Sequence, residues 1–259
     1  LRENTGEIEA GQQHRLPSLL DYGQCRGDFQ TQTTWSDGAD TIETMARAGI
    51  KKKWSFITIT DHVGQLAIAN ALDEKRLLEQ AKEIDKLNEK LGIHIFKGAE
   101  VDILKNGRLA LSRKAQEKLD VVLASVHLAT KMSEQEMTAR ICSALEHDRV
   151  HILGHPTGRL LNKREAYPLD MQKLFETAQR TGTFLEINGQ PERMDLKDIH
   201  VKAAKEAGCS FVVSSDAHSV RQLDYVQFGE AIARRGWCEA KDVVNTYPFG
   251  KIKKILGKK

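Results

Sequence analysis

The strongest constraint in this sequence is an alternation of short apolar runs with stretches of helical spacing, repeated seven times. The runs at 25–31, 55–60, 94–102, 121–126, 150–154, 183–188 and 210–215 are bounded by turn residues and read as buried strands. The stretches 40–49, 73–92, 113–119, 133–147, 169–181, 195–207 and 222–235 carry apolar residues at helix period. Alternation of this kind builds parallel βα units. Seven of them in one α/β domain favour a closed or nearly closed barrel over a doubly wound sheet. Helix-start signals support the reading: Asp40 stands three residues before Glu43, and Ser133 three before Glu136, both capping-box patterns. Gly49, Gly92, Gly182, Gly208 and Gly236 follow expected helix ends, where a left-handed residue is wanted.

Each expected strand ends in a residue that can bind a metal or a proton. Gln30 and Gln32 end the first, with Asp37 in the following loop; Asp61-His62 end the second, and Glu100 and Asp102 the third. His127 ends the fourth, His155-Pro156 the fifth, Glu186 and Asn188 the sixth, and Asp216 and His218 the seventh. A parallel barrel brings the C-terminal ends of its strands to one mouth, where catalytic groups collect. Core packing would place Val, Ile and Leu at such positions, and charged groups avoid burial unless paired or metal-bound. Imidazole with carboxylate suits Mn²⁺, Zn²⁺ or Fe²⁺.

The net charge of +3 is too small to argue for a nucleic-acid partner. The basic clusters Lys51-Lys52-Lys53 and 251–259 read as solvated surface. Cys25, Cys142, Cys209 and Cys238 show no close pairing, so neither a disulfide framework nor a cysteine zinc site is indicated, and a reducing, cytoplasmic location is expected. No apolar run approaches the ~18 residues of a membrane span. Residues 1–24 are polar around Pro17 and read as a leader from an upstream region, with 25–259 as the barrel.

The segments Trp35-Ser36-Asp37-Gly38, Ile59-Thr60-Asp61-His62, Gly98-Ala99-Glu100, Ala124-Ser125-Val126-His127, Gly154-His155-Pro156-Thr157-Gly158-Arg159 and Ser215-Asp216-Ala217-His218 resemble, in order, the motifs of the PHP (polymerase and histidinol phosphatase) superfamily. Within it the chain is similar to the C-terminal PHP domain of bacterial family X DNA polymerases, in the leader, in Gly236-Trp237 and in Asn245-Thr246. The resemblance implies a distorted seven-stranded TIM-like (β/α)7 barrel, up to three divalent metal ions, and a Mn²⁺-dependent 3′–5′ exonuclease acting on DNA 3′ ends in repair, beside an upstream polymerase domain. It implies Glu100 bridging two metals, Asp216 with the first, His127 and His155 with the second, and Asp37, His62 and His218 with the third. Glu100, His127, Asp216 and His218 are then the expected catalytic residues.

One departure stands out. The superfamily usually opens with His-x-His, where this chain has Gln30-Thr31-Gln32. An amide oxygen is a weaker ligand than imidazole for these ions, so the first position is expected to be weak or empty. That pair also keeps open a degenerate, non-catalytic barrel that supports a polymerase. A small-molecule phosphomonoesterase of the histidinol-phosphatase kind is the third reading.

Asp61 is expected to orient His62 or a neighbouring loop, and Asp102 and Glu186 to accept hydrogen bonds at the mouth. Arg159 would either clamp a phosphate or pair with a mouth carboxylate. Lys131 and Asn188 are further substrate-binding candidates. His94, His147, His151 and His200 match no motif and are expected at the surface or at helix ends.

Overall fold

The computed structural model describes residues 4, 6–64 and 69–257. Leu1, Arg2, Glu3 and Thr5 of the expected leader, and Lys258-Lys259 of the basic tail, lie outside the described residues. Seven parallel strands pair in the order β1 (Gly27–Thr31), β2 (Phe56–Ile59), β4 (His94–Asp102), β5 (Val121–Ser125), β6 (Ile152–Leu153), β7 (Phe184–Asn188) and β8 (Phe211–Ser214). A two-residue strand, β3 (His62–Val63), pairs with β4 in the register His62↔Glu100. The helices are α1 (Glu7–Gln12), α2 (Ile42–Lys51), α3 (Glu74–Asn88), α4 (Arg113–Gln116), α5 (Glu134–Leu145), α6 (Met171–Thr181), α7 (Asp198–Glu206), α8 (Val226–Arg235) and α9 (Phe249–Leu256). The expected nearly closed (β/α)7 barrel is the observed one.

Successive residues of a strand face opposite sides. One set faces the helices: Ala99, Val101, Val122, Ala124, Leu185, Ile187 and Val213 belong to the large core between sheet and helices. The other set fills the barrel. At its foot Phe29, Phe56 and Phe96 stack with ring centres 4.8 and 5.5 Å apart, and Ile252 and Leu256 of α9 close it from below. Toward the mouth the same inward rows turn polar: Phe96 is followed by Glu100, Leu123 by His127, and Val212 by Asp216. A hydrophobic base therefore carries a polar rim.

The barrel closes between β1 and β8 mainly through side chains. Backbone pairing there is one parallel bridge, Thr31↔Ala217. The Asn245 amide donates to Gly27 O (2.9 Å) and Val213 O (2.8 Å), and its Oδ1 accepts from Val213 N at 2.8 Å. Higher up, the Asp28 carboxylate accepts from Ser215 N at 3.1 Å, and burial pushes that carboxyl up to about 7. The expected leader joins the structure at Leu20, which is fully buried and whose N–H donates to Cys238 O.

Several local expectations are corrected. The cap of α2 is Thr41, whose hydroxyl accepts from Thr44 N; Asp40 instead receives Val220 N, tying the loop to a neighbouring 3-10 turn. Ser133 and Glu136 do form the capping box. Gly182 (φ 67°) and Gly208 (φ 84°) take the left-handed backbone, while Gly92 and Gly236 do not and Gly49 lies inside α2. His151 is not at the surface. It is buried, with Nδ1 accepting from Val122 N and Nε2 against Leu256 O. The helix expected over 113–119 is a single turn, and α9 has no counterpart in the sequence reading.

Asn245→Ala strips partners from three buried backbone groups, each costing about 1–3 kcal/mol when left unpaired. We expect the unfolding free energy from urea titration to fall by roughly 3 kcal/mol or more. A loss within the ~0.5 kcal/mol typical of neutral surface changes would show that the seam does not rest on this side chain.

Candidate metal centre

The inward alternation and the β3–β4 register deliver four groups to one point. Glu100, 1% exposed, is the centre. Its Oε1 lies 2.9 Å from His155 Nε2 and 3.1 Å from His127 Nε2; its Oε2 lies 3.4 Å from His62 Nδ1 and accepts from Gln32 Nε2 at 2.9 Å. The rings of His62 and His155 each stand 5.2 Å from that of His127, edge to face. On the outer side His62 Nε2 is 3.7 Å and His218 Nε2 3.6 Å from the two oxygens of Asp37.

Supporting contacts fix which nitrogen faces inward. His127 Nδ1 is held by Asp102 at 2.6 Å, and His218 Nδ1 by the Asp216 carbonyl at 2.9 Å. Both Nε2 atoms are thereby aimed at the cluster, a usual arrangement around metal-ligating histidine. Asp61 supports the neighbouring loop rather than His62: its carboxylate takes Thr33 N, Thr33 Oγ1, Ser36 N, Ser36 Oγ and Gln80 Nε2. That binds the segment carrying Asp37 to β2 and α3. His155 (φ 25°) and Asp216 (φ 54°) sit in the left-handed backbone region. Strain there is of order 1–3 kcal/mol per residue and collects at functional sites. Glu186 holds His155 in place by accepting its N–H at 2.5 Å.

The electrostatics are those of a site short of positive charge. Burial would raise the Glu100 carboxyl, but His62 and His127 outweigh it and hold it well below its ordinary range. Burial would lower the His127 imidazolium, yet Glu100 and Asp102 keep it up at about 9. The same opposition, with Asp37 and Asp216 prevailing, holds His218 at about 9. His155 goes the other way, to about 4, through burial and the nearby Arg193 charge. Burial and the neighbouring Asp216 push Glu186 well up.

These residues suit a divalent cation in two places. Asp37, His62 and His218, and separately His62, Glu100 and His127, each present three ligand atoms within 4.8 Å of one another. His127 Nε2 and His155 Nδ1 are buried without a hydrogen bond. The first position of the expected set fits less well. Gln32 turns an amide N–H toward Glu100, and Gln30 Oε1 is 3.5 Å from Asn188 Nδ2. Asp216 Oδ2 already accepts from Asn188 Nδ2 at 3.1 Å and from Arg193 Nε at 3.1 Å. No imidazole among the described residues points there, and the carboxylate is already compensated.

Among the substrate-binding candidates, Asn188 is fully buried between Glu186 and Asp216. Lys131 is exposed in the loop after β5. Arg159 neither pairs with a mouth carboxylate nor faces the cluster: it grips the backbone carbonyls of Arg193 and Met194. The residue that sequence reasoning missed is Arg193, whose Nη1 is buried without a partner beside Asp216. It lies in a loop five residues beyond the end of β7, with no periodicity to mark it.

A parallel barrel with imidazoles and carboxylates converging at its C-terminal mouth has the donor set of a divalent-metal site. The family model described as "PHP domain" matches residues 28–190, and the chain belongs to this family of metal-dependent phosphoesterases. It is 39% identical over 257 residues to the DNA polymerase/3′-5′ exonuclease PolX of Bacillus subtilis, covering 99% of this chain and 45% of that protein. The chain thus spans less than half the length of that relative. It is 33% identical to a "probable phosphatase" of Thermoanaerobacter sp., covering 90% of this chain and 94% of that one. The histidinol phosphate phosphatase of Lactococcus lactis, solved with zinc, L-histidinol and phosphate, superposes with a TM-score of 0.59 at 12% identity, covering 81% and 94% of the two chains. That likeness bears on the fold. Among the described residues no helix is long and apolar enough to cross a membrane.

Metal binding should release protons here, because His127 and His218 must give theirs up to become ligands. Both are charged below about 9 in the free protein, so apparent affinity for Mn²⁺ should climb as pH rises toward 9. In the free protein the same raised values add stability that is complete below about 6.5 and gone above about 9. Calorimetry at pH 7.5 in buffers of different ionisation enthalpy should report about two protons released on saturation. Proton-neutral binding would contradict this electrostatic picture.

Proposed function

We propose that the chain is the phosphoesterase part of a family X DNA polymerase and removes nucleotides from DNA 3′ ends with Mn²⁺. The observation that carries the reading is the single buried carboxylate of Glu100 shared by His62, His127 and His155. The relation to the Bacillus protein, over 99% of the chain, supports DNA as the substrate and an upstream polymerase domain as the partner.

In this reading Asp37, His62 and His218 hold one ion, and Glu100, His127 and His155 a second, with Glu100 and Asp216 left to a weak first position by Gln30 and Gln32. Bound divalent ions neutralise a phosphodiester, supply hydroxide near neutral pH and stabilise the leaving oxygen. The chain's own groups do the orienting. Asp102 and the Asp216 carbonyl fix the tautomers of His127 and His218, and Arg193 offers its unpaired Nη1 to a phosphate oxygen. Arg159, through the Arg193 carbonyl, sets where that guanidinium stands. The same barrel could serve a small phosphomonoester, a reading favoured by the end-to-end match with the Thermoanaerobacter protein. A non-catalytic barrel is the reading that the glutamine pair favours.

Glu100→Ala should abolish Mn²⁺-stimulated hydrolysis of single-stranded DNA ends, since this carboxylate is the one that His62, His127 and His155 share; unchanged nuclease activity would refute the assignment. Gln30→His with Gln32→His should raise both metal content and turnover. Arg193→Gln should raise KM by at least about tenfold, the worth of one charge-assisted hydrogen bond, with a smaller effect on kcat. Assaying a DNA 3′ end beside a phosphate monoester separates the two substrate readings.

A further inference from the structure

The foot of the barrel, opposite the metal centre, carries a cavity of about 900 Å³ that the proposed chemistry does not use. It lies where the chain enters β1 and β2, between Tyr22–Arg26, Lys52–Trp54 and the start of α8, with Ala240 and Thr246 at its rim. Its size is that of a small-molecule site, about 300–1,000 Å³. Because the foot of such barrels ordinarily serves stability, with catalysis at the other end, a cavity here suggests binding rather than turnover.

The charges around it are unequally satisfied. Glu230 is buried and consumed: its two oxygens accept Gly23 N at 2.9 Å and Cys25 N at 3.1 Å, shaping one wall. Asp224 is paired with Lys52, whose ammonium also stands 5.6 Å from the Trp54 ring centre. Asp224 is therefore neutralised, and the Glu230 oxygens are turned to the backbone. Arg26 and Lys53 remain, exposed and with no ion pair to any described residue. Lys53 is held in the left-handed region at φ 60°, in the turn that joins α2 to β2. Trp54, half-buried, lines the same cavity; Tyr22, 62% exposed, has its ring stacked 4.8 Å from the Arg234 guanidinium.

We infer that this cavity binds a nucleoside phosphate, its base against Trp54 and Tyr22 and its phosphate on Arg26 and Lys53. Aromatic faces stack bases of any sequence, and free guanidinium and ammonium groups take phosphate oxygens through charge-assisted hydrogen bonds. The ligand could be a free nucleotide or the terminal nucleotide of a strand. The inference does not rest on activity at the metal centre.

The test is calorimetric titration of the whole chain in EDTA, which removes divalent ions that could recruit phosphate to the mouth. The ligands are deoxyadenosine monophosphate, deoxyadenosine, inorganic phosphate and a single-stranded thymidine decamer. We expect saturable binding of the mononucleotide or the decamer, whichever is tighter naming the source, and at least about tenfold weaker binding of deoxyadenosine and of phosphate alone. Arg26→Gln with Lys53→Gln, both at exposed positions, should weaken binding by at least about tenfold. In Trp54→Phe the ligand-induced quenching of tryptophan emission should disappear while calorimetry still registers the ligand. The inference is overturned if neither the mononucleotide nor the decamer saturates, if phosphate alone binds as tightly, or if the double variant, folded by circular dichroism, binds as the parent does.

Discussion

The site depends on one cost: a carboxylate buried at the mouth of a hydrophobic barrel. Glu100 is 1% exposed, and an unpaired charge so placed is penalised by several kcal/mol. Three imidazoles and the Gln32 amide surround it. Two of those imidazoles, His62 and His127, in turn face Asp37 and Asp102, so the compensation spreads outward in alternating sign. Such a cluster is stable without an ion only by charging histidines that a metal would need neutral. That competition between proton and metal is what makes the arrangement suited to divalent cations.

The barrel supplies the geometry through strand alternation. Rows that pack phenylalanine, valine and leucine at the foot emerge as Glu100, His127 and Asp216 at the mouth, which makes the site a continuation of the core. Closure at β1 and β8 relies on Asn245 and Asp28, because only one backbone bridge spans the seam. Gln30 and Gln32 extend from that same seam. The weakest part of the sheet thus lies beside the weakest part of the ligand set.

Much of this was legible in the sequence, because both βα alternation and strand-end placement obey short periods. Glu100, His127, His155, Asp37, His62 and His218 come together as their positions predicted. The β3–β4 pairing that sets His62 opposite Glu100 was not visible, since two residues carry no period. Asp40 and Thr41 could each have capped α2; tertiary demand from Val220 N took the aspartate. His151 carries no motif, yet its two ring nitrogens join β5 to α9. Arg159, expected at a phosphate or a mouth carboxylate, holds the Arg193 and Met194 carbonyls instead, and Arg193 is the arginine that stands beside Asp216. Loop arginines reach too far for sequence neighbours to fix their targets.

This pattern of charge fixes where metal ions should sit. Crystals soaked in Mn²⁺ and measured for anomalous scattering should show two ions, one among Asp37, His62 and His218 and one among Glu100, His127 and His155. No peak should lie between Asp216 and the two glutamines at Mn²⁺ concentrations that fill the others. A strong third peak there, or no ion at Glu100, would contradict it.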